Sequence, residues 1–235
     1  MGIVKVTVFQ KSLHEGPGLA TVKKLSGIKS NFLIFPEFFF SDDKTADYRK
    51  LEDKSSFALD WLLKLNESYK GIIIGGTMFY AENGQKYIAT PIITGGEVID
   101  WYKKRKLKPE EGDGVLAGED CGEYILGGHR FSILSGEEVY DPALIHEIAE
   151  KGIHFVIAVS NSYRSSPDSS QSDEDNFCQP AKQHGISFVK CAASGSFLGK
   201  ELQGRSLAVA PSGISWRVSE SEEQSELIKT VLINI

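Results

Sequence analysis

A mixed α/β fold built in layers is what this chain predicts, and three observations predict it. Short runs rich in Ile, Val and Phe recur along its length, helical patterns lie between some of them, and turn signals cluster in the middle and near the end. The expected strands are Ile3 to Val8, Phe32 to Phe35, Gly71 to Ile74, Lys86 to Ile93, Val98 to Lys103, Phe131 to Leu134, Ile153 to Val159, Phe188 to Ala192, Ser206 to Ala210 and Leu227 to Ile235. Several are apolar at consecutive positions, as in Gly71-Ile-Ile-Ile74 and Phe155-Val-Ile-Ala158. Strands of that kind are covered on both faces.

Each helix has local reasons. In the first, Ser55 or Ser56 can cap, and Ala58, Trp61, Leu62 and Leu65 fall on one stripe. In the second, Asp141 suits the N-cap and Pro142 the first turn; Leu144, Ile145 and Ile148 line one face, and Gly152 can close the end. A weaker pattern runs from about Leu19 to Ile28. Asn83-Gly84 between aromatic and β-branched residues signals a hairpin, and Gly127-Gly128 and Pro211-Ser212-Gly213 signal turns. The stretch Ser165 to Asp175 reads as a mobile acidic surface loop, with a lid over a pocket as the alternative.

The 235 residues, 41% hydrophobic and 25% charged, show no compositional break, so a single domain over 1–235 is expected. With 26 Lys plus Arg against 32 Asp plus Glu the formal charge is -6, which argues against a chain built to neutralise phosphates, and no nucleic-acid partner is expected. Cys121, Cys178 and Cys191 are too few and too scattered for a disulfide framework. The first residues alternate like a strand and not like a secretory signal. The longest apolar stretch, Phe32 to Phe40, is broken by Pro36 and Glu37, well short of the ~20 residues that cross a bilayer. A cytoplasmic protein with no membrane partner is the expectation.

Chemistry-bearing residues sit at strand ends. Glu37 follows a buried strand among aromatic residues, where an ionised carboxylate needs a cation or donors, or else takes a proton. The run Tyr102-Lys-Lys-Arg-Lys-Leu-Lys108 leaves a strand, so one parity (Tyr102, Lys104, Lys106) or the other (Trp101, Lys103, Arg105) points inward, and one lysine can partner Glu37. Lys106 and Glu110, four apart, are expected to form no more than a surface pair. From Arg130 to Leu144 a strand runs through a sharp turn into the Pro-started helix. His129, His154 and His184 lack metal-ligand spacing, and Gly75-Gly76 and Gly127-Gly128 lack a phosphate-loop pattern, so no metal and no cofactor are expected.

The order Pro36-Glu37, then Tyr102-x-Lys104-x-x-Leu107, then strand, turn, acidic residue and Pro-started helix resembles the carbon-nitrogen hydrolase family, or nitrilase superfamily, over nearly the whole chain. Asn161 after a strand, His184-Gly185, Gly204-x-Ser206 and Pro211-x-Gly213 fall in the same order. The resemblance implies a four-layer αββα sandwich, an amide, carbamoyl or nitrile ligand, and a homo-oligomer, commonly a dimer. It also implies a catalytic Glu at Glu37, a Lys at Lys104 and a nucleophilic Cys where this chain has Gly136. In the family mechanism Glu takes the thiol proton, the thiolate attacks carbon, Lys stabilises the oxyanion, an amine leaves and water frees the enzyme.

Glycine supplies none of these groups. Anchoring on Pro142 and Glu138 also puts Ser132 where the family has Gly. Ser135 is adjacent to the empty position, but a one-residue shift turns its side chain to the opposite face. A turn tolerating positive φ is the plain reading of Gly136. Glu111 or Glu110 fits the family's second glutamate, which orients the lysine or the substrate. Glu138 and Asn161 are candidates for substrate binding, Glu138 through the hydrogen-bond network of the turn. Three functional readings follow: a family relative inactive as written that binds a small ligand, an active amidohydrolase whose cysteine has been replaced, or a structural or regulatory oligomeric scaffold.

Overall fold

The structure, a computed structural model, describes residues 2–112, 114–164 and 169–235, the side chains of 169–174 excepted. Its first sheet comprises β1 (Ile3–Gln10), β2 (Phe32–Ile34), β3 (Ile72–Ile74), β4 (Met78–Glu82), β5 (Gln85–Thr94), β6 (Glu97–Lys103), β7 (Val115–Leu116) and β17 (Leu227–Asn234). The spatial order is β17-β1-β2-β3-β5-β4, with β6 and β7 also on β5. Strands β1, β2 and β3 are parallel, and β17 closes on β1 antiparallel from Ile3↔Asn234 to Gln10↔Leu227.

The second sheet contains β8 (Glu123–Leu126), β9 (His129–Ser135), β10 (Phe155–Val159), β12 (Ser187–Cys191), β15 (Leu207–Ala210) and β16 (Gly213–Arg217), in the order β16-β15-β12-β10-β9-β8. Its β9, β10 and β12 are parallel. A third, small sheet joins β11 (Ser162–Tyr163), β13 (Gly195–Phe197) and β14 (Lys200–Gln203). The helices are α1 (Leu19–Ser26), α2 (Tyr48–Asn66), α3 (Pro142–Glu150) and α4 (Ser169–His184).

Side-chain alternation turns these elements into four layers. Val6, Phe32, Ile34, Ile72 and Ile74 of the first sheet meet Phe131, Ile133, Ile157 and Val189 of the second in one inter-sheet core. The intervening residues Leu33 and Ile73 face outward onto Leu25 of α1 and Ala58, Leu62 and Leu65 of α2. On the far side Leu134, Val156, Ala158 and Phe188 pack on Leu144, Ile145 and Ile148 of α3 and on Phe177 and Ala181 of α4. The consecutive apolar strands are thus covered on both faces, and the αββα sandwich is the fold.

Two helices differ from expectation. Helix α2 starts at Asp47, whose side chain accepts from Lys50 N, two turns before Ser55. Ser55 is interior to it, donating to Leu51 O at 2.9 Å and accepting from Phe79 N at 3.0 Å, which ties the helix to β4. The acidic loop is the other: residues 165–168 lie outside the described residues, and from Ser169 the backbone is helical. Phe177 and Ala181, one turn apart, bury that helix against the second sheet and override its polar composition. Helix α3 is as expected, with Asp141 accepting from Ala143 N at 2.9 Å and Gly152 at φ 68 after its end. The turns at Gly127-Gly128 and Pro211 to Gly213 carry two hairpins, β8/β9 and β15/β16.

Among the described residues no helix is long and apolar enough to cross a membrane, and no three His, Cys, Asp or Glu side chains are grouped to hold a metal ion. All three cysteines are free.

Candidate active site

Four strand ends deliver the site, the C-terminal ends of β2, β6, β9 and β10, where α/β sheets characteristically open their crevices. After β2, Phe35 N still bonds Ile74 O at 2.9 Å; Pro36 then ends the ladder, and Phe38 takes φ 48 with its N–H on Thr77 O at 3.2 Å. Glu37 is held between these two anchors. Its carboxylate is turned into the protein, 6% exposed, and Oε2 accepts from Asn161 N at 2.8 Å.

The parity of the basic run resolves to Tyr102 and Lys104, both 1% exposed, while Trp101, Lys103 and Arg105 are half-buried on the other side and Lys106 is exposed. Lys104 is pinned as backbone, its N–H on Ile88 O and its carbonyl accepting Gly118 N, both at 2.8 Å. Its ammonium contacts Glu111 Oε1 and stands 3.9 Å from Glu37 Oε1. Glu111 is 2% exposed, and its other oxygen accepts Lys108 N at 2.8 Å. The neighbouring Glu110 is exposed instead, 3.5 Å from Lys200. It does not pair with Lys106, which reaches Asp141.

Gly136 follows the last residue of β9 with φ 58, a conformation glycine adopts freely and other residues do not. An ideal Cβ here would lie 2.7 Å from Lys104 Nζ and 3.1 Å from Glu37 Oε1. Acid and ammonium therefore converge on the open face of residue 136, at the point from which a side chain would begin. No thiol lies there. Cys191 sits in the inter-sheet core with Sγ 3.4 Å from the carbonyls of Phe9 and Ile34, Cys178 lies on α4, and Cys121 lines a separate cavity. Burial pushes the Cys191 thiol well above its ordinary range, which makes it inert. Ser135 belongs to β9 itself, pairs with Val159 and is fully buried.

Charge and burial oppose one another here. Burial pushes the Glu37 carboxyl above its ordinary value, against the pull of Lys104 and the Asn161 amide. For Lys104 burial favours the neutral amine, but the charges of Glu37 and Glu111 more than offset it and keep the ammonium. The pair is an acceptor and a fixed donor side by side.

Glu138 and Asn161 are placed differently. Asn161 spans the site, with Nδ2 to Glu37 O at 3.4 Å and Oδ1 accepting Ala193 N at 2.8 Å. Glu138 is fully buried, and protein donors surround both its oxygens. Oε2 accepts Tyr102 OH at 2.7 Å and Ser135 N at 2.8 Å; Oε1 accepts Lys106 N at 3.0 Å and Arg105 N. It ties the end of β6 to the end of β9 and orients Lys104 and Gly136 through backbone. Ser132, expected where the family has Gly, donates to Cys121 O at 2.8 Å.

Beside the acids opens a cleft of ≈ 630 Å³ lined by Tyr48, Glu110, Tyr163, Phe197 and Lys200. Burial raises the pKa of both Tyr48 and Tyr163, and the charges of Glu37 and Glu111 add to it, which puts both rings within electrostatic reach of the site. Phe38, next to Glu37, stacks on Phe197 with centroids 5.3 Å apart. Sequence reasoning missed these rings. Tyr163 lies two residues after Asn161 and could be found from it, whereas Tyr48 precedes the helix start that Ser55 signals.

No protein-family model matches the sequence, and neither does any curated protein. Solved structures do match. The glutamine-dependent NAD+ synthetase from Acinetobacter baumannii superposes with TM-score 0.83 at 17% identity over 99% of this chain and 46% of that one, so the chain spans under half its length. Saccharomyces cerevisiae Nit3, a member of branch 10 of the nitrilase superfamily, matches with TM-score 0.80 at 19% identity over 98% of this chain and 89% of its own. The amidase of Nesterenkonia AN1, also from the nitrilase superfamily, gives 0.80 at 17% identity over 98% and 90%. In one form of that amidase the acetamide moiety of fluoroacetamide is added covalently at the active-site cysteine. Through all four layers, this chain has the fold of the nitrilase superfamily.

Proposed function

We propose that the protein is a carbon-nitrogen hydrolase relative that binds a small amide, carbamoyl or nitrile compound against Glu37 and Lys104, at the open face of Gly136, without covalent turnover. One observation carries the reading: a buried carboxyl and a buried ammonium, 3.9 Å apart, face a glycine and no sulfur. A primary amide presents an acceptor oxygen and a donor nitrogen, the complement of Lys104 and Glu37. Glu111 holds the ammonium in place, and Glu138 positions the strand ends behind it. The amidase with a ligand bonded to its cysteine has the group that this chain lacks. Loss of a covalent nucleophile costs a hydrolase about 10⁶ in turnover. The reading includes no metal or cofactor and a homo-oligomeric state, which light scattering on the full chain tests.

The deciding experiment pairs binding with activity. Acetamide, urea and acetonitrile are each titrated in a thermal-shift assay, where a ligand at 100 times its Kd adds about 2.7 kcal/mol, and ammonia release is measured for the protein and for Gly136→Cys. Binding to the unsubstituted chain, background ammonia release, and a gain with Gly136→Cys are expected. Ammonia release by the unsubstituted chain would refute the absence of turnover. No binding together with no gain in Gly136→Cys would refute a preserved site.

A further inference from the structure

Outside that site one nucleophile has a built surrounding. Cys121, 4% exposed, precedes β8, and its carbonyl is fixed by Ser132 Oγ on β9. Its sulfur accepts a hydrogen bond from Lys151 Nζ at 2.8 Å. Lys151 caps the C-terminus of α3, and Arg130 of β9 donates to its carbonyl at 2.7 Å. Sulfur and nitrogen are thus brought together by separate elements, each tied to the same strand.

Both residues line a cavity of ≈ 300 Å³ that also presents Glu82, Asp100, Glu119 and Glu123. With Asp120 the carboxylates outnumber the ammoniums of Lys103 and Lys151 in this lining, and the net negative charge disfavours anionic reagents such as glutathione over a small neutral one. The hydrogen bond to Cys121 raises the Lys151 pKa, so the nitrogen beside the sulfur is held as an ammonium.

We propose that Cys121 and Lys151 are a peroxide-driven crosslinking site. The Cys121 thiolate attacks one oxygen of hydrogen peroxide; the S–O bond forms, the O–O bond breaks and hydroxide leaves, so sulfur is oxidised by two electrons and peroxide reduced. Oxidation removes the negative charge that held the Lys151 proton. The ammonium gives that proton to water, and the amine lone pair attacks sulfur. An S–N bond forms, the S–O bond breaks and water departs, with no further change of oxidation state. Because the nitrogen already lies at bonding approach, the second step has the advantage of an intramolecular reaction over capture by solution thiols. The product staples the segment before β8 to the end of α3.

Treatment of the full chain with hydrogen peroxide, followed by intact-mass measurement and peptide mapping, tests this. The expected product is about 2 Da lighter than the reduced chain, joins the peptides holding positions 121 and 151, and reverts with dithiothreitol. Lys151→Gln abolishes the joined peptide and leaves a sulfenic acid at Cys121 that dimedone traps. Cys121→Ser abolishes both signals, which separates them from oxidation of Cys178. Recovery of Cys121 as free thiol while Cys178 is oxidised would overturn the proposal. So would equal dimedone labelling of Cys121 in the unsubstituted chain and in Lys151→Gln.

Discussion

Replacing Gly136 by alanine isolates what this position costs. At φ 58 an L side chain is strained, by about 1–2 kcal/mol. The new Cβ would also arrive 2.7 Å from Lys104 Nζ and 3.1 Å from Glu37 Oε1, so the ammonium must swing aside and loosen its contacts with both acids. Gly84 in the β4/β5 hairpin supplies the control: it has φ 75, and nothing lies within 4 Å of the place its methyl group would take. Gly84→Ala therefore reports the backbone term alone, and any excess in Gly136→Ala reports displacement of the lysine. Urea denaturation of the three proteins, compared at constant m-value, gives the difference directly. The backbone term should lower Tm by about 2–8 °C in a chain of this size, with Gly136→Ala the more damaging of the two. A Gly136→Ala protein as stable as the parent would refute the argument that residue 136 is strained and crowded by the site.

Three further outcomes are expected. Glu138→Gln leaves backbone N–H groups at Arg105 and Lys106 or Ser135 without an acceptor and should cost about 3 kcal/mol in chemical denaturation; a loss under about 1 kcal/mol would mean the network is dispensable. Because burial raises the Glu37 pKa, the folded chain binds this proton more tightly than the unfolded chain does. That contribution is complete below the unfolded carboxylate range and fades as pH rises through the folded pKa. Glu37→Gln, which mimics the protonated acid, should thus gain stability relative to the parent as pH is raised from the acidic range to neutrality in denaturation curves; a flat or falling difference contradicts this. Asp141→Ala removes the α3 cap and should cost about 1 kcal/mol. Lys106 holds the Asp141 carboxyl below its usual range, so the deficit should shrink as pH falls through the acidic range, and a deficit that grows there would exclude the cap.

The layers were legible in the sequence because their strands are apolar at successive positions, which only two-sided burial explains. The strand ends were legible too: Pro36 stops β2, the lysine run leaves β6, and Asp141-Pro142 marks the start of α3. Alternation allowed only one of two parities to face inward, and burial of Tyr102 with Lys104 selects between them. What stayed hidden depends on contacts distant in sequence. The first half of α2 carries Lys50, Glu52, Asp53 and Lys54 around Leu51, its one buried apolar residue, so no apolar stripe announces it. Helix α4 looks like loop because only Phe177 and Ala181 anchor it among the residues whose burial is described. The choice between Glu110 and Glu111 rested on loop register, and a short 3-10 turn at Pro109–Glu111 turns the second inward and the first to solvent.

The donors gathered by Glu138 come from both sheets: Tyr102, Arg105 and Lys106 from the end of the first, Ser135 from the second. Apolar faces alone would let the sheets slip against one another, since hydrophobic contact has no direction. A single carboxyl shared across the gap works as a key in a slot and fixes their relative translation. Thermal opening should then begin at the opposite margin of the sandwich, and the amide hydrogens of residues 105, 106 and 135 should be among the last to exchange with solvent.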